Sequence, residues 1–288
     1  MDYRFALIDS SHQMRFHLRL DRCGAAYQSL FEGYPEASLL DIAPLLIDLS
    51  HDDQTGRNVL ADAMRLGELK PCVSIIAASR PLTDLAGHLR QFHQVKVPNN
   101  REMIIRWYDG RIFPTWLALL DDDQRGFFTR GITEWRYFDR FGKCQQATLP
   151  ADDAHHDGAF SLPVHLDEKQ IAALEAATEA DGMIGGLQAI MPKLRHVPYR
   201  VVHPFIEAHL RAARQHGLSD VEDLVEYLIL AFQTSGRFVD HPQATQRLSM
   251  PANAHSDTFA KWAGGLGGEV AAAGTPLWEA PDEQEDAR

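Results

Sequence analysis

Two arginines and an aspartate crowd six consecutive residues of the chain. In Glu102 to Pro114, EMIIRWYDGRIFP, Arg106 sits in an apolar, strand-like run, Asp109 and Gly110 follow as a turn, and Arg111 lies just beyond it. Two guanidiniums beside a carboxylate could hold an anion at the end of a strand, or they could pin the strand end and its turn to a neighbouring element. Strict alternation puts Met103, Ile105 and Trp107 on one face and Ile104, Arg106 and Tyr108 on the other. An arginine in such company needs a carboxylate, because an unpaired buried charge is costly, and Asp109 is the nearest in sequence. No general base, nucleophile or metal ligand converges on the same stretch, which favours the structural role. Arg106, Tyr108, Asp109 and Arg111 therefore form a structural signature or partner-binding set.

The other chemistry-bearing residues are less organised. Ser10 or Ser11 with His12 could supply a nucleophile and base after the first strand, where α/β folds often keep their sites. No G-x-S-x-G elbow accompanies them, and a serine there more simply caps the following helix. Among fourteen histidines, His155, His156 and Asp157 cluster in a loop without a helical ligand pair, and His203 and His209, six apart, fall on different sides of a helix. Neither GxGxxG nor GxxxxGK[ST] occurs. The residues assign no catalytic position, no cofactor and no metal.

The elements that must position these residues alternate in the first half. Phe5 to Ile8, Leu45 to Leu49 and Cys72 to Ala78 read as strands, as do 102 to 108 and 134 to 141. Between them, His12 to Leu30 places Met14, Leu18, Cys23, Tyr27 and Leu30 at helical spacings, residues 55 to 67 stop at Gly67, and Leu82, Leu85, Leu89 and Phe92 make a stripe. A short helix spans Phe113 to Leu120. This pattern predicts an α/β lobe over 1–150, with a mixed sheet flanked by helices. Beyond a loop from Pro150 to Pro163 every periodic segment is helical, predicting a smaller all-helical lobe over 164–262. Its clearest part is a hairpin with Phe205, Ile206, His209, Leu210 and Ala213 on one helix, and Val221, Leu224, Val225, Leu228, Ile229 and Phe232 on the next, started by Ser219 with Glu222. Residues 263–288 gather Gly, Ala, Pro and acids and read as a flexible acidic tail.

A length of 288 residues with 45% hydrophobic content can build one large core or two unequal ones. The net charge of -12, without any basic run, argues against a nucleic-acid partner. Cys23, Cys72 and Cys144 lack the paired spacing of a disulfide framework or zinc site. With no secretory leader pattern and no apolar span of about 18 residues, a cytoplasmic, membrane-free protein is expected.

Five segments in order carry a family resemblance: FALIDSS at Phe5 to Ser11, SLFEG at Ser29 to Gly33, APLLIDL at Ala43 to Leu49, LAGHLRQF at Leu85 to Phe92, and RWYDGRIF at Arg106 to Phe113. Together they resemble the effector-adaptor family of type VI secretion, whose members are filed as a domain of unknown function and often encoded between a VgrG spike and a toxin. The resemblance covers about the first 140 residues. Gly110 stands where the family usually has proline, which should loosen the turn. The resemblance implies a cytoplasmic chaperone, not an enzyme, that binds the N-terminal region of a toxic effector and promotes its loading onto the VgrG spike. It also implies that the helical lobe supplies much of the effector-binding surface. Competing readings are an α/β hydrolase or transferase holding an anionic substrate on the strand-end arginines, and a toxin immunity protein. Within the signature, Asp109 and Arg106 should matter for folding, and Arg111, beyond the turn, for binding.

Overall fold

The computed structural model of the chain describes residues 3–51, 53–150, 162–250, 255–266, 270 and 272–279. It divides into two compact units, Met1–Thr178 and Glu179–Arg288.

In the first unit the apolar run at the N-terminus becomes β1 (Tyr3–Asp9), buried on both faces from Phe5 onward. It is followed by α1 (Phe16–Cys23), β2 (Tyr27–Ser29), β3 (Pro44–Asp48), α2 (Gln54–Leu69), β4 (Val73–Ala78), α3 (Leu82–Arg90), β5 (Gln94–Val97), β6 (Arg101–Ile104), α4 (Phe113–Leu119), α5 (Asp122–Phe128), β7 (Ile132–Phe138), β8 (Cys144–Gln146) and β9 (Val164–His165). Six strands form one sheet in the order β2-β3-β1-β4-β7-β8, with every neighbouring pair antiparallel. The mixed character sits in a small sheet, β6-β5-β9, where β5 pairs antiparallel with β6 and parallel with β9. β1 thus runs through the middle of the large sheet, which explains its unbroken apolar sequence. Trp135 on β7 anchors an aromatic cluster, stacking on Phe113 at 4.6 Å and Phe128 at 5.5 Å and meeting Trp107 edge-on at 6.0 Å. Such pairs add roughly 1 kcal/mol each to the area they bury.

Two segments depart from the sequence reading, each for a local reason. No single helix spans His12 to Leu30: α1 stops at Gly24, whose φ of 70° an L side chain resists, and Tyr27–Ser29 then joins the sheet as β2. The expected stripe was the outer one. Phe16 and Leu20 are buried, whereas Met14 and Leu18 are exposed. The strand expected over 102 to 108 ends at Ile104, after which Trp107 to Ile112 folds into consecutive turns. All four residues of β6 are exposed, so the alternation carried no buried face to extend it.

The boundary between the units falls within α6 (Glu168–Ile190), whose start carries the reciprocal cap expected of Asp167 and Gln170, each side chain accepting the other's backbone N–H. The second unit continues as α7 (Tyr199–Gln215), α8 (Val221–Thr234), α9 (Pro242–Leu248) and α10 (Phe259–Gly264). The α/β lobe followed by a helical one is therefore as expected. Ile206, Leu210 and Ala213 of α7 and Leu224, Leu228 and Phe232 of α8 share one core. The cap of α8 is Asp220, which accepts from Glu222 N–H at 2.9 Å, rather than Ser219. Val270 is buried in this core. No described helix is long and apolar enough to cross a membrane.

Candidate functional site

The signature residues meet at the C-terminal end of β1. Asp9 is fixed there by its backbone N–H to Cys72 O at 2.9 Å, and the next residue, Ser10, by its N–H to Ala43 O at 3.1 Å, so both neighbouring strands hold this end. Asp9 caps the short helical turn Ser10–His12 by accepting from Ser11 N–H at 3.0 Å. Neither serine caps a long helix. Ser10 Oγ is buried without a hydrogen-bond partner among the described residues, and Ser11 Oγ accepts from Arg106 Nη2 at 2.7 Å.

Arg106 reaches Asp9 rather than Asp109. Its Nη2 donates to Asp9 Oδ2 at 2.5 Å, whereas Asp109 Oδ2 stands 4.0 Å away. Asp109 is held instead by Arg111, whose Nε and Nη2 donate at 3.0 and 2.6 Å and whose backbone N–H donates at 2.9 Å. His12 Nε2 approaches the same carboxylate at 3.7 Å. The expected burial is inverted: the Asp109 side chain is 1% exposed and the Arg106 side chain 41%. The carboxylates form the floor, and the guanidiniums bridge them to the surface. This is the cheaper arrangement, because a long arginine can keep part of its head in water while a buried aspartate depends on its partners.

Electrostatics follow the geometry. Burial alone would raise the Asp109 carboxyl, but the nearby His12 ring and the hydrogen bonds and charge of Arg111 outweigh it and hold the group well below the usual carboxylate range. Burial would lower Arg106, and the charge and hydrogen bond of Asp9 more than reverse that. Tyr108, buried and close to Asp9, is pushed up and stays a neutral phenol. Burial likewise pushes the Cys72 thiol up to about 12, which removes it as a nucleophile.

Gly110 tightens the turn rather than loosening it. Its N–H donates to Pro71 O at 2.7 Å, a bond proline cannot make, and a Cβ there would lie 1.9 Å from Phe138 O. The absence of a side chain lets three segments of backbone close over the node.

Chemically the node is saturated at its carboxylates. Asp109 is too weak a base to accept a proton near neutrality, Ser11 Oγ already accepts from a cation, and no hydroxyl or thiol among the described residues bonds to the His12 ring. Asp9, His12 and Asp109 do bring three ligand atoms within 4.8 Å of one another. A dication entering there would face Arg106 and Arg111 on the same carboxylates, so the donor set suits the arginines better.

Of the other sequence candidates, His155, His156 and Asp157 lie outside the described residues. His203 and His209 do fall on different surroundings. His203 is buried between Asp181 at 3.7 Å and Glu207 at 3.6 Å, and Tyr199 O–H also bonds Asp181. His209 lies half-buried against Phe205, ring centroids 4.2 Å apart. Asp9 is the residue that sequence reasoning missed. Its one signal was an acid closing an otherwise apolar strand.

No curated protein and no solved structure matches the chain. Residues 4–126, a span that takes in every residue of the node, match the model of a family described as a domain of unknown function (DUF4123), which is associated with type VI secretion.

Proposed function

We propose that the chain is a cytoplasmic adaptor that catalyses nothing, binds the N-terminal region of a type VI secretion effector, and promotes its loading onto the VgrG spike. The observation that carries this reading is the family match over residues 4–126. The saturated node supports it, since the charged residues that a hydrolase or transferase would use on an anionic substrate are already committed to one another.

Co-expression with the toxin encoded beside the gene tests the proposal. A stable complex that also retains the cognate spike tip is expected, and it should require the toxin's N-terminal region. Failure to hold either protein overturns the reading. Rescue of cells expressing the toxin's catalytic domain alone would replace it with an immunity role.

A further inference from the structure

The run from His12 to Arg22, HQMRFHLRLDR, is unusual within this acidic protein. Together with the loop from Leu39 to Ile42 it carries Arg15, Arg19 and Arg22 against Asp21 and Asp41, where the chain as a whole has a net charge of -12. It also leaves apolar side chains in solvent. Met14 is 63% exposed, and Leu18, Leu39 and Ile42 are exposed as well.

These residues are held together as one surface. Asp41 accepts from Arg15 N–H at 3.1 Å and faces His17 Nδ1 at 3.5 Å, which fastens the loop carrying Leu39 and Ile42 to the start of α1. Ile42 N–H in turn donates to Leu39 O at 3.1 Å. Arg15 is locked at φ 63°, in the left-handed region that costs an L residue roughly 1 kcal/mol. The Asp41 bond offsets that cost and fixes the backbone between Met14 and α1. The node adjoins this surface along the chain, since Ser11 and His12 lie three and two residues before Met14, and it adds exposed guanidinium while its carboxylates stay buried.

We infer that the face formed by Met14, Leu18, Leu39 and Ile42, rimmed by Arg15 and Arg22, docks an acidic amphipathic segment of a partner protein. Charge selects that occupant. The exposed leucines, isoleucine and methionine of these two fastened segments offer an apolar seat, and the excess of arginine over acid there favours a segment whose polar positions are aspartate or glutamate. The inference deepens the adaptor reading and rests on it only for the partner being a protein.

The test uses the full chain and two labelled peptides of equal length and leucine content, one with glutamate and one with lysine at its polar positions, followed by fluorescence anisotropy. The glutamate peptide should bind and the lysine peptide should not. The double substitution Met14→Asp with Leu18→Asp should weaken binding about tenfold or more. Arg15→Glu with Arg22→Glu should weaken it and flatten its salt dependence, whereas Val221→Asp, an exposed position of α8, should change nothing. Unaltered melting of each variant establishes that binding, not folding, has changed. Equal binding of both peptides, indifference to the Met14/Leu18 substitution, binding to phosphatidylserine vesicles in place of the peptide, or self-association through these residues would each overturn it. If the peptide fails while the neighbouring toxin still co-purifies, the surface falls and the adaptor stands. If the peptide binds and the toxin does not, the surface stands and the adaptor reading falls.

Discussion

The node around Asp9 and Asp109 and the face around Met14 and Leu18 lie a few residues apart on one stretch of chain, yet they treat water in opposite ways. At the node each buried carboxylate is occupied by a guanidinium, and Asp109 by backbone N–H as well. On the face, large apolar side chains stand in solvent with arginines around them. A polar cluster whose carboxylates are all paired holds the fold. An exposed apolar surface has its contacts still to make.

The sharpest way to break this comparison is at Arg111. Arg111→Ala strips a buried carboxylate of its main partner and should destabilise the α/β unit by about 3 kcal/mol, whereas Asp109→Asn, which leaves a part-exposed arginine able to reach water, should cost less. Urea unfolding of the two variants checks the order. The geometry therefore ties Arg111 to the fold through Asp109.

Acid should distinguish the node from a buried group that lacks a counter-charge. His88 in α3 donates its Nε2–H to Phe128 O at 3.1 Å, and burial lowers it to about 4. Its folded value lies below the unfolded one near 6.5, so its stabilising contribution is complete above about pH 6.5 and is lost as pH falls toward 4, up to about 3 kcal/mol. His93, also lowered by burial, adds to the decline. Asp109 should contribute little to this fall, because its folded value is depressed and its stabilising contribution is lost only as pH drops below the ordinary carboxylate value of about 4. His88→Gln should flatten the fall in melting temperature between pH 7 and pH 5; an undiminished fall would place the sensitivity elsewhere.

Gly110→Ala should cost about 2 kcal/mol, since a methyl group would be driven into the Phe138 carbonyl. Thermal melting measures it, and a neutral outcome would mean that the turn can open. Smallest of all should be the effect on stability of Met14→Asp with Leu18→Asp. Calorimetry should find it within about 0.5 kcal/mol of the unsubstituted chain, because exposed side chains contribute little to the core.

Much of the fold is legible in the sequence where burial is complete. β1, β3, β4, α2 and α3 appear close to their expected places because continuous apolar runs and 3.6-residue stripes were read against real cores. The reading failed where apolar residues are not buried. Met14 and Leu18 imitate a core stripe while facing solvent, and Met103 with Ile104 imitate a buried strand on an exposed edge. The node was legible only in part. Arg106, Asp109 and Arg111 stand out locally, but Asp9 lies 97 residues from Arg106 and only the sheet brings them together. α5 was missed although Asp121 and Gln124 form a capping box ahead of it.

The central claim, that the node is scaffold and not a working site, is tested most directly by equilibrium urea unfolding of Arg106→Ala at pH 7, read through the fluorescence of Trp107, Trp116 and Trp135. Removing Arg106 leaves the fully buried Asp9 without its cation. The account predicts a loss of about 3 kcal/mol from the transition of the α/β unit. An Arg106→Ala protein as stable as the original would contradict it.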